Sequence, residues 1–157
     1  SSPYSGQEKR EVKTLSQQEI SGYLNGKGLG YAKAAELNQF PGPRHVLDLA
    51  KELNLSDAQV EQSQALFNVM KMQATTLGKA FVEKEHKLNE FFANSSIDTT
   101  KLEVLLTDLG LLEAKIRFVH LNAHLKQKAL LTSQQVHLYD QLRGYNVSHQ
   151  YEHKHTH

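Results

Sequence analysis

Cysteine is absent from this sequence of 157 residues, and long apolar runs are absent as well. Without cysteine there are no disulfides and no thiolate metal ligands, although the absence fits either a reducing or an oxidising compartment. No stretch approaches the ~20 apolar residues of a membrane span, so we expect no transmembrane segment. The polar start, Ser1 to Arg10, has no apolar core of the signal-peptide kind, so we expect an exported form to be the mature protein.

An excess of charge of one sign is also missing. The 18 basic and 17 acidic side chains nearly cancel, so we expect no attraction of the whole chain to nucleic acid or anionic lipid. The sequence also has no cysteine nucleophile, no Gly-x-Ser-x-Gly elbow and no recognisable pair of catalytic carboxylates. An enzyme is therefore the least favoured class of function.

Proline and glycine are few, and most of them lie near the start of the chain. All three prolines and six of the nine glycines precede Arg44, which predicts an N-terminal arm with short helices over residues 1–42. A helical domain is predicted over residues 43–145, and a flexible tail rich in histidine over residues 146–157. At 39% hydrophobic, the chain has enough apolar material for one modest core.

Capping boxes and helical periodicity predict two long helices. Ser56 and Gln59 form a box that starts the first of them, which continues to about Asn94. Thr100 and Glu103 offer a second box for the returning helix. The predicted apolar seams are Val60, Phe67, Met70, Ala74, Leu77, Phe81, Leu88 and Phe91 on the first helix, and Leu102, Leu105, Leu109, Leu112, Ile116, Val119, Ala123 and Leu130 on the second.

Two shorter helices flank this pair. One is predicted from His45 to about Asn54, after the helix-initiating Pro43. The other follows a third capping box, at Thr132 and Gln135, and ends near Gly144. No strand pattern is present in the sequence, so the predicted fold is all-α: a long antiparallel helical hairpin with short flanking helices.

The length of the hairpin predicts a homodimer. A helix from residue 57 to 94 would be roughly 57 Å long at ~1.5 Å per residue, more than the width of a compact domain of this size. Part of each apolar stripe would then stay uncovered in a monomer. We expect Phe67, Met70, Leu77 and Phe81 to lie nearest the shared surface or core.

Two motifs of the form Leu-[Ser/Thr]-x-x-Gln carry a resemblance to a known family. They occupy Leu55 to Gln59 and Leu131 to Gln135, and each begins a helix, with the long hairpin separating the two motifs. In this arrangement the chain resembles the periplasmic Spy/CpxP-like proteins over roughly residues 43–145. The resemblance implies a four-helix protomer, an intertwined dimer and a periplasmic location. It also implies work as an ATP-independent chaperone for unfolded client proteins, or as a stress-signalling accessory with a membrane-bound partner.

A branch of that family senses heavy metals (CnrX-like), and His120 and His124 lie where those sensors carry a His-x-x-x-Met pair. Residues four apart share a helix face, so two imidazoles there can reach one ion. His45 is the third candidate ligand, with Asp48 and Glu113 as weaker ones. The resemblance implies a divalent transition metal: zinc, copper, nickel or cobalt.

Each histidine also has an ordinary interpretation. His120 and His124 would then be polar residues beside the helical seam, and His45 a residue near a helix start; His86 and His137 look like surface residues. The tail histidines can chelate a metal ion from a flexible chain, or can form a solvated terminus with incidental affinity. These four are His149, His153, His155 and His157.

Two functions follow as alternatives that can coexist. The first is a periplasmic, metal-responsive stress protein that binds a divalent cation through its helix histidines. The second is a holdase chaperone in which lysine and apolar side chains bind unfolded clients without any specific metal site.

Overall fold

The computed structural model describes residues 1–145, and within that part of the chain all regular structure is helical. A short 3-10 turn at Gln7–Lys9 precedes the α-helices. In chain order these are α1 (Gln17–Leu24), α2 (Lys33–Glu36), α3 (Pro43–Asp48), α4 (Asp57–Ala93), α5 (Thr99–Ala129) and α6 (Ser133–Arg143). The prediction of an all-α fold with two long helices is confirmed, and those two helices pack against each other.

The chain forms two compact units. Among the described residues, the first unit combines Ser1–Leu29 with Lys71–Val119, and the second combines Gly30–Met70 with residues 120–145. Residues 1–42, predicted as an arm, thus contribute to both units. The predicted seam of α5 supplies core residues to both as well: Leu105, Leu109, Ile116 and Ala123 are all buried.

The core of the first unit includes residues from the start of the chain. Val12, Leu15 and Tyr23 are buried, and the Tyr23 ring lies 4.6 Å from the ring of Phe81 on α4. Gly78 on α4 permits this packing, because a Cβ atom there would overlap the backbone carbonyl of Tyr23. Close approach of a backbone to a helix is a common reason for glycine at a helical position.

The core of the second unit centres on three fully enclosed side chains, Val46, Leu53 and Tyr139. Between α4 and α5 the same unit contains a buried polar pair, in which Gln127 Nε2 donates a hydrogen bond of 3.0 Å to Ser63 Oγ. A buried polar pair of this kind favours one register of two packed helices, because any other register would leave both groups unsatisfied.

Two of the three predicted capping boxes are confirmed. Ser56 and Gln59 bond reciprocally at the start of α4, and Thr132 and Gln135 do so at the start of α6. The predicted box at Thr100 and Glu103 is wrong, because Asp98 caps α5 through a 2.8 Å hydrogen bond from the Lys101 amide. α3 is also shorter than predicted, since it ends at Asp48.

The glutamines of the two Leu-[Ser/Thr]-x-x-Gln motifs bond to each other. Gln59 Nε2 donates to Gln135 Oε1 at 2.8 Å, and Gln135 Nε2 donates to Gln59 Oε1 at 3.1 Å. Each side-chain amide also donates to a backbone carbonyl, Gln59 to Leu130 at 2.9 Å and Gln135 to Leu53 at 3.3 Å. The motifs therefore do more than cap their own helices: they join the starts of α4 and α6.

No helix among residues 1–145 is both long and apolar enough to cross a membrane.

Candidate functional site

His120 is almost completely enclosed, with 3% of its surface exposed on α5 in the second unit. A group this deeply buried is not open to an ion from solvent unless the surrounding packing opens.

His124, one turn further along α5, is held by the backbone. Its Nδ1 lies 2.7 Å from the carbonyl oxygen of Phe40. A carbonyl only accepts, so Nδ1 carries a proton and Nε2 is the ring nitrogen left as a possible metal ligand. Nε2 faces Gly42, where an added Cβ atom would stand 2.6 Å away from it. The nitrogen that could bind a metal is therefore packed against backbone.

His45 lies on α3 and is paired within its own helix. Its Nδ1 is 3.7 Å from Oδ2 of Asp48, and 41% of its side chain is exposed. Partial burial, followed by the charge of Arg143, lowers the pKa of His45 below its ordinary value of 6.5. The imidazole is consequently neutral at pH 7.

The histidines in the described part of the chain do not assemble a metal centre. Among residues 1–145, no three or more His, Asp or Glu side chains are grouped so that they could hold one ion. His86 pairs with Glu90 at 3.6 Å and His137 lies 3.4 Å from Gln141, so both take part in ordinary helix-surface contacts. The tail candidates His149, His153, His155 and His157 lie outside the described residues. The body of the protein does not fit a three-ligand site, and metal binding stays a prediction.

A partly buried carboxylate that the sequence did not reveal connects several helices of the second unit. Glu36, the last residue of α2, accepts hydrogen bonds at Oε1 from the hydroxyls of Tyr139 at 2.6 Å and Tyr145 at 2.9 Å. Arg143 Nε lies 3.6 Å from the same oxygen, and His124 Nδ1 lies 3.8 Å from Oε2. We call these five residues the Glu36 cluster. It fastens α2 to α5 and α6.

Burial shifts the protonation equilibria around Glu36. Removal from water, followed by the hydrogen bond to Glu36, raises the pKa of both Tyr139 and Tyr145, so both phenols stay neutral donors. Asp140, with 2% exposure and an Oδ1 atom that makes no hydrogen bond, has a raised pKa because of burial and then because of the charge of Glu36. The cluster joins two neutral phenol donors to one carboxylate oxygen. Its arrangement is that of a structural network.

One side of α5 in the first unit carries three exposed apolar side chains in line. Val104, Leu111 and Phe118 are 56%, 55% and 65% exposed and follow one another at intervals of seven residues. Thr107 and Ala114 lie between them on the same side and are also exposed. We call these five residues the outer α5 face. Its seven-residue spacing is a sequence signal, but the seam prediction concerned only the buried side of the helix.

Two basic side chains border the outer α5 face in its C-terminal half. Lys115 and Arg117 are exposed on either side of the line from Leu111 to Phe118. An apolar stripe with cationic groups beside its second half can contact the apolar and acidic side chains of an unfolded chain at the same time.

Comparisons of the chain with family models, with curated proteins and with solved structures found no match. The Spy/CpxP-like resemblance therefore rests on the two glutamine motifs and their arrangement.

Proposed function

We propose that this protein is a client-binding stress protein of the Spy/CpxP-like kind, which holds unfolded polypeptides against exposed apolar side chains. The observation that carries the proposal is the outer α5 face, where three large apolar side chains are each more than half exposed. Scattered exposed apolar residues are ordinary, but a regular line of them marks a surface for interaction.

The chemistry of the face fits an unfolded client better than a folded one. Valine, leucine and phenylalanine give affinity through burial, at ~25 cal/mol per Å² of apolar area, and require no particular sequence in the partner. Lys115 and Arg117 add attraction for acidic segments and keep the surface hydrated. A surface of this composition accepts many sequences weakly, which is what a holdase needs.

The finer architecture that we propose is a hairpin of α4 and α5 within a Spy/CpxP-like protomer. Contacts within the second unit support opposite directions for the two helices, since Gln59 bonds to Leu130 and Ser63 bonds to Gln127. A periplasmic location, a homodimeric state and a membrane-bound signalling partner belong to the same proposal and derive from the resemblance.

A metal-responsive role, the first of the two functions predicted from the sequence, stays a prediction. Residues 1–145 offer no group of three ligands to one ion, so nothing in the body of the protein favours it over client binding.

A client-protection assay tests the proposal. The protein is added to a chemically unfolded client during dilution into native buffer, and light scattering reports client aggregation. Leu111→Gln with Phe118→Gln should raise the concentration that halves aggregation by about tenfold or more, since two apolar side chains contribute over ~1.4 kcal/mol. Leu142→Gln, a change of the same chemistry at an exposed position on α6, is the matched control.

The fold should survive these changes because both substituted side chains are exposed, and circular dichroism with thermal melting checks this. Equal protection by wild type and the double variant would refute the outer α5 face as the client surface. An absence of protection by wild type would refute the function itself.

A further inference from the structure

The outer α5 face is centred on Leu111, and charged residues border it in a regular pattern. Leu111 lies at its middle, with Val104 seven residues before and Phe118 seven residues after. The residues between the large side chains are small: Thr107 and Ala114 lie on the face, and Gly110 lies at its edge with open space around it. Small residues between large ones let a second helix approach closely.

Acidic residues border the first half of the face and basic residues border the second half. A helical projection at 100° per residue places Glu103 and Arg117 along one edge. Asp108 and Lys115 lie along the other edge. Within residues 103–118, the acid precedes Leu111 and the base follows it on both edges. Asp108 is engaged within its own unit by Lys84 Nζ at 3.1 Å, whereas Glu103 and Arg117 are exposed without an ion pair in the described structure.

This pattern selects the direction of a partner helix of the same sequence. In an antiparallel pair centred near Leu111, Glu103 of one copy faces Arg117 of the other, and the contact occurs twice because of the two-fold symmetry. Asp108 and Lys115 match across the opposite edge in the same way. In a parallel pair the opposite edges of the two copies meet instead, so Glu103 of one copy would face Asp108 of the other, which is repulsive.

We propose that a second copy of this chain covers the outer α5 face in the absence of a client, with the two α5 helices antiparallel about Leu111. The pairing stands on the charge pattern. Its consequence, that self-association and client binding compete for one surface, rests on the client-binding function proposed above.

The size of the contact predicts a weak and reversible dimer. Residues 103–118 span about 24 Å at ~1.5 Å per residue, so the pairing uses little more than four helical turns of each copy. A contact of this extent falls among the smaller, transient interfaces. Clients can therefore displace the second copy without a specialised release step.

Charge reversal tests the pairing in solution. Sedimentation velocity over a range of concentrations should show a monomer–dimer equilibrium for the wild type. Glu103→Arg and Arg117→Glu should each raise the dimer dissociation constant at least about tenfold, because each places like charges together twice. The combination of both changes restores opposite charges and should return the constant to near its original value. Glu83→Lys, an exposed charge reversal on α4, should leave it unchanged.

Restoration by the double reversal cannot arise from unfolding, so it separates a specific pairing from simple damage. A wild type that is monomeric at every concentration, or a double variant no better than the single ones, overturns the proposal.

The absence of cysteine from the chain allows a direct test of direction. Val104→Cys and Phe118→Cys proteins are mixed and oxidised. An antiparallel pair centred on Leu111 should give the mixed disulfide in large excess over either homodisulfide, since like positions lie about 20 Å apart along the axis. Dominant homodisulfides would overturn the antiparallel arrangement.

The competition is tested with Glu103→Arg, which leaves every residue of the outer α5 face in place. At concentrations where wild type is dimeric, this variant should protect the client at least about twofold better per chain. Equal protection would overturn the competition but not the pairing. Failure of every protein to protect a client would instead refute the proposed function, and sedimentation would still decide the pairing.

Discussion

Asp140 on α6 is a buried acid next to another acid. Its side chain is 2% exposed, its Oδ1 atom makes no hydrogen bond, and the charge of Glu36 adds to the effect of burial in raising its pKa. His137 and Lys128 act in the opposite direction but do not reverse the shift. The ionised form is thus disfavoured in the folded protein relative to the unfolded chain.

We predict that Asp140→Asn stabilises the protein at pH 7. The folded state binds a proton at this site more tightly than the unfolded state, whose pKa is near 3.8, so Asp140 costs stability as pH rises through the raised folded pKa. Each pKa unit corresponds to ~1.4 kcal/mol, and ~1 kcal/mol raises Tm by about 2–4 °C in a chain of this size.

The same change should give no gain below pH 3.8, where the acid is protonated in both states. Thermal melting of wild type and variant across this pH range measures the difference. Glu61→Gln, at an exposed position on α4, is the matched control and should change little at any pH. A gain for Asp140→Asn that persists unchanged at acid pH would contradict the charge argument.

At the scale of single residues, the candidate site was only partly predictable. The side chains of Tyr139 and Tyr145 meet Glu36 across 103 and 109 positions of sequence. No local pattern marks such a contact, and Glu36 lay in a segment interpreted as an arm. His124 was predicted as a ligand from its spacing to His120, but spacing does not reveal that Phe40 would accept its proton or that Gly42 would pack against Nε2.

Helix starts provide a natural comparison at the scale of elements. The capping box of α1 pairs Ser16 with Glu19, whereas the boxes of α4 and α6 use Gln59 and Gln135. Glutamate and glutamine serve equally in a capping box, since both offer an oxygen to the cap backbone. Only glutamine also has the NH₂ group that the Gln59–Gln135 contact needs.

We therefore predict that Gln59→Glu destabilises the protein although it preserves the capping box. The variant loses two donated hydrogen bonds at ~1 kcal/mol each and turns a carboxylate toward the Leu130 carbonyl, so Tm should fall by roughly 4–8 °C. Glu19→Gln is the converse change where only a cap is at stake, and it should be nearly neutral. Similar small effects at both positions would show that the cross-contact contributes nothing.

Two helical glycines should respond oppositely to alanine. Gly78→Ala drives a Cβ atom into the Tyr23 carbonyl, which should cost ~1–3 kcal/mol as an overpacked contact does. Gly110→Ala meets open space and should stabilise α5 by ~0.5–1 kcal/mol through helix propensity. Urea denaturation at low protein concentration measures both. A tolerated Gly78→Ala would contradict the close packing of the initial segment.

Elements were more predictable than contacts because helical periodicity directly reflects burial. The seam of α5 was correct at Leu105, Leu109 and Ile116 for this reason. Its start was predicted at the wrong cap, since Asp98, Thr99 and Thr100 are consecutive and all can cap a helix. Only the hydrogen bond to the Lys101 amide identifies Asp98. The outer α5 face was visible as a spacing of seven, but a pattern alone does not show which apolar residues stay exposed.

At the scale of the whole molecule, one experiment distinguishes metal binding by residues 1–145 from metal binding by the tail, residues 146–157. We expect zinc to raise Tm little in a full-length chain whose four tail histidines are changed to alanine, because residues 1–145 offer no three-ligand group. A large rise that disappears on adding His124→Ala would support the predicted helix site instead. In that case affinity should also fall below pH ~6.5, since imidazole ligands must be neutral.

The Gln59–Gln135 contact has a consequence for how the protein opens. A helix cap ordinarily stabilises only the first turn of its own helix, and the ends of different helices fray independently. Here the starts of α4 and α6, 76 positions apart, are joined by side-chain hydrogen bonds, so neither can fray without breaking bonds that also hold the other. In a deuterium-exchange experiment, the backbone amides of Gln59 and Gln135 should lose their protons together, and more slowly than the amide of Glu19, whose cap belongs to α1 alone.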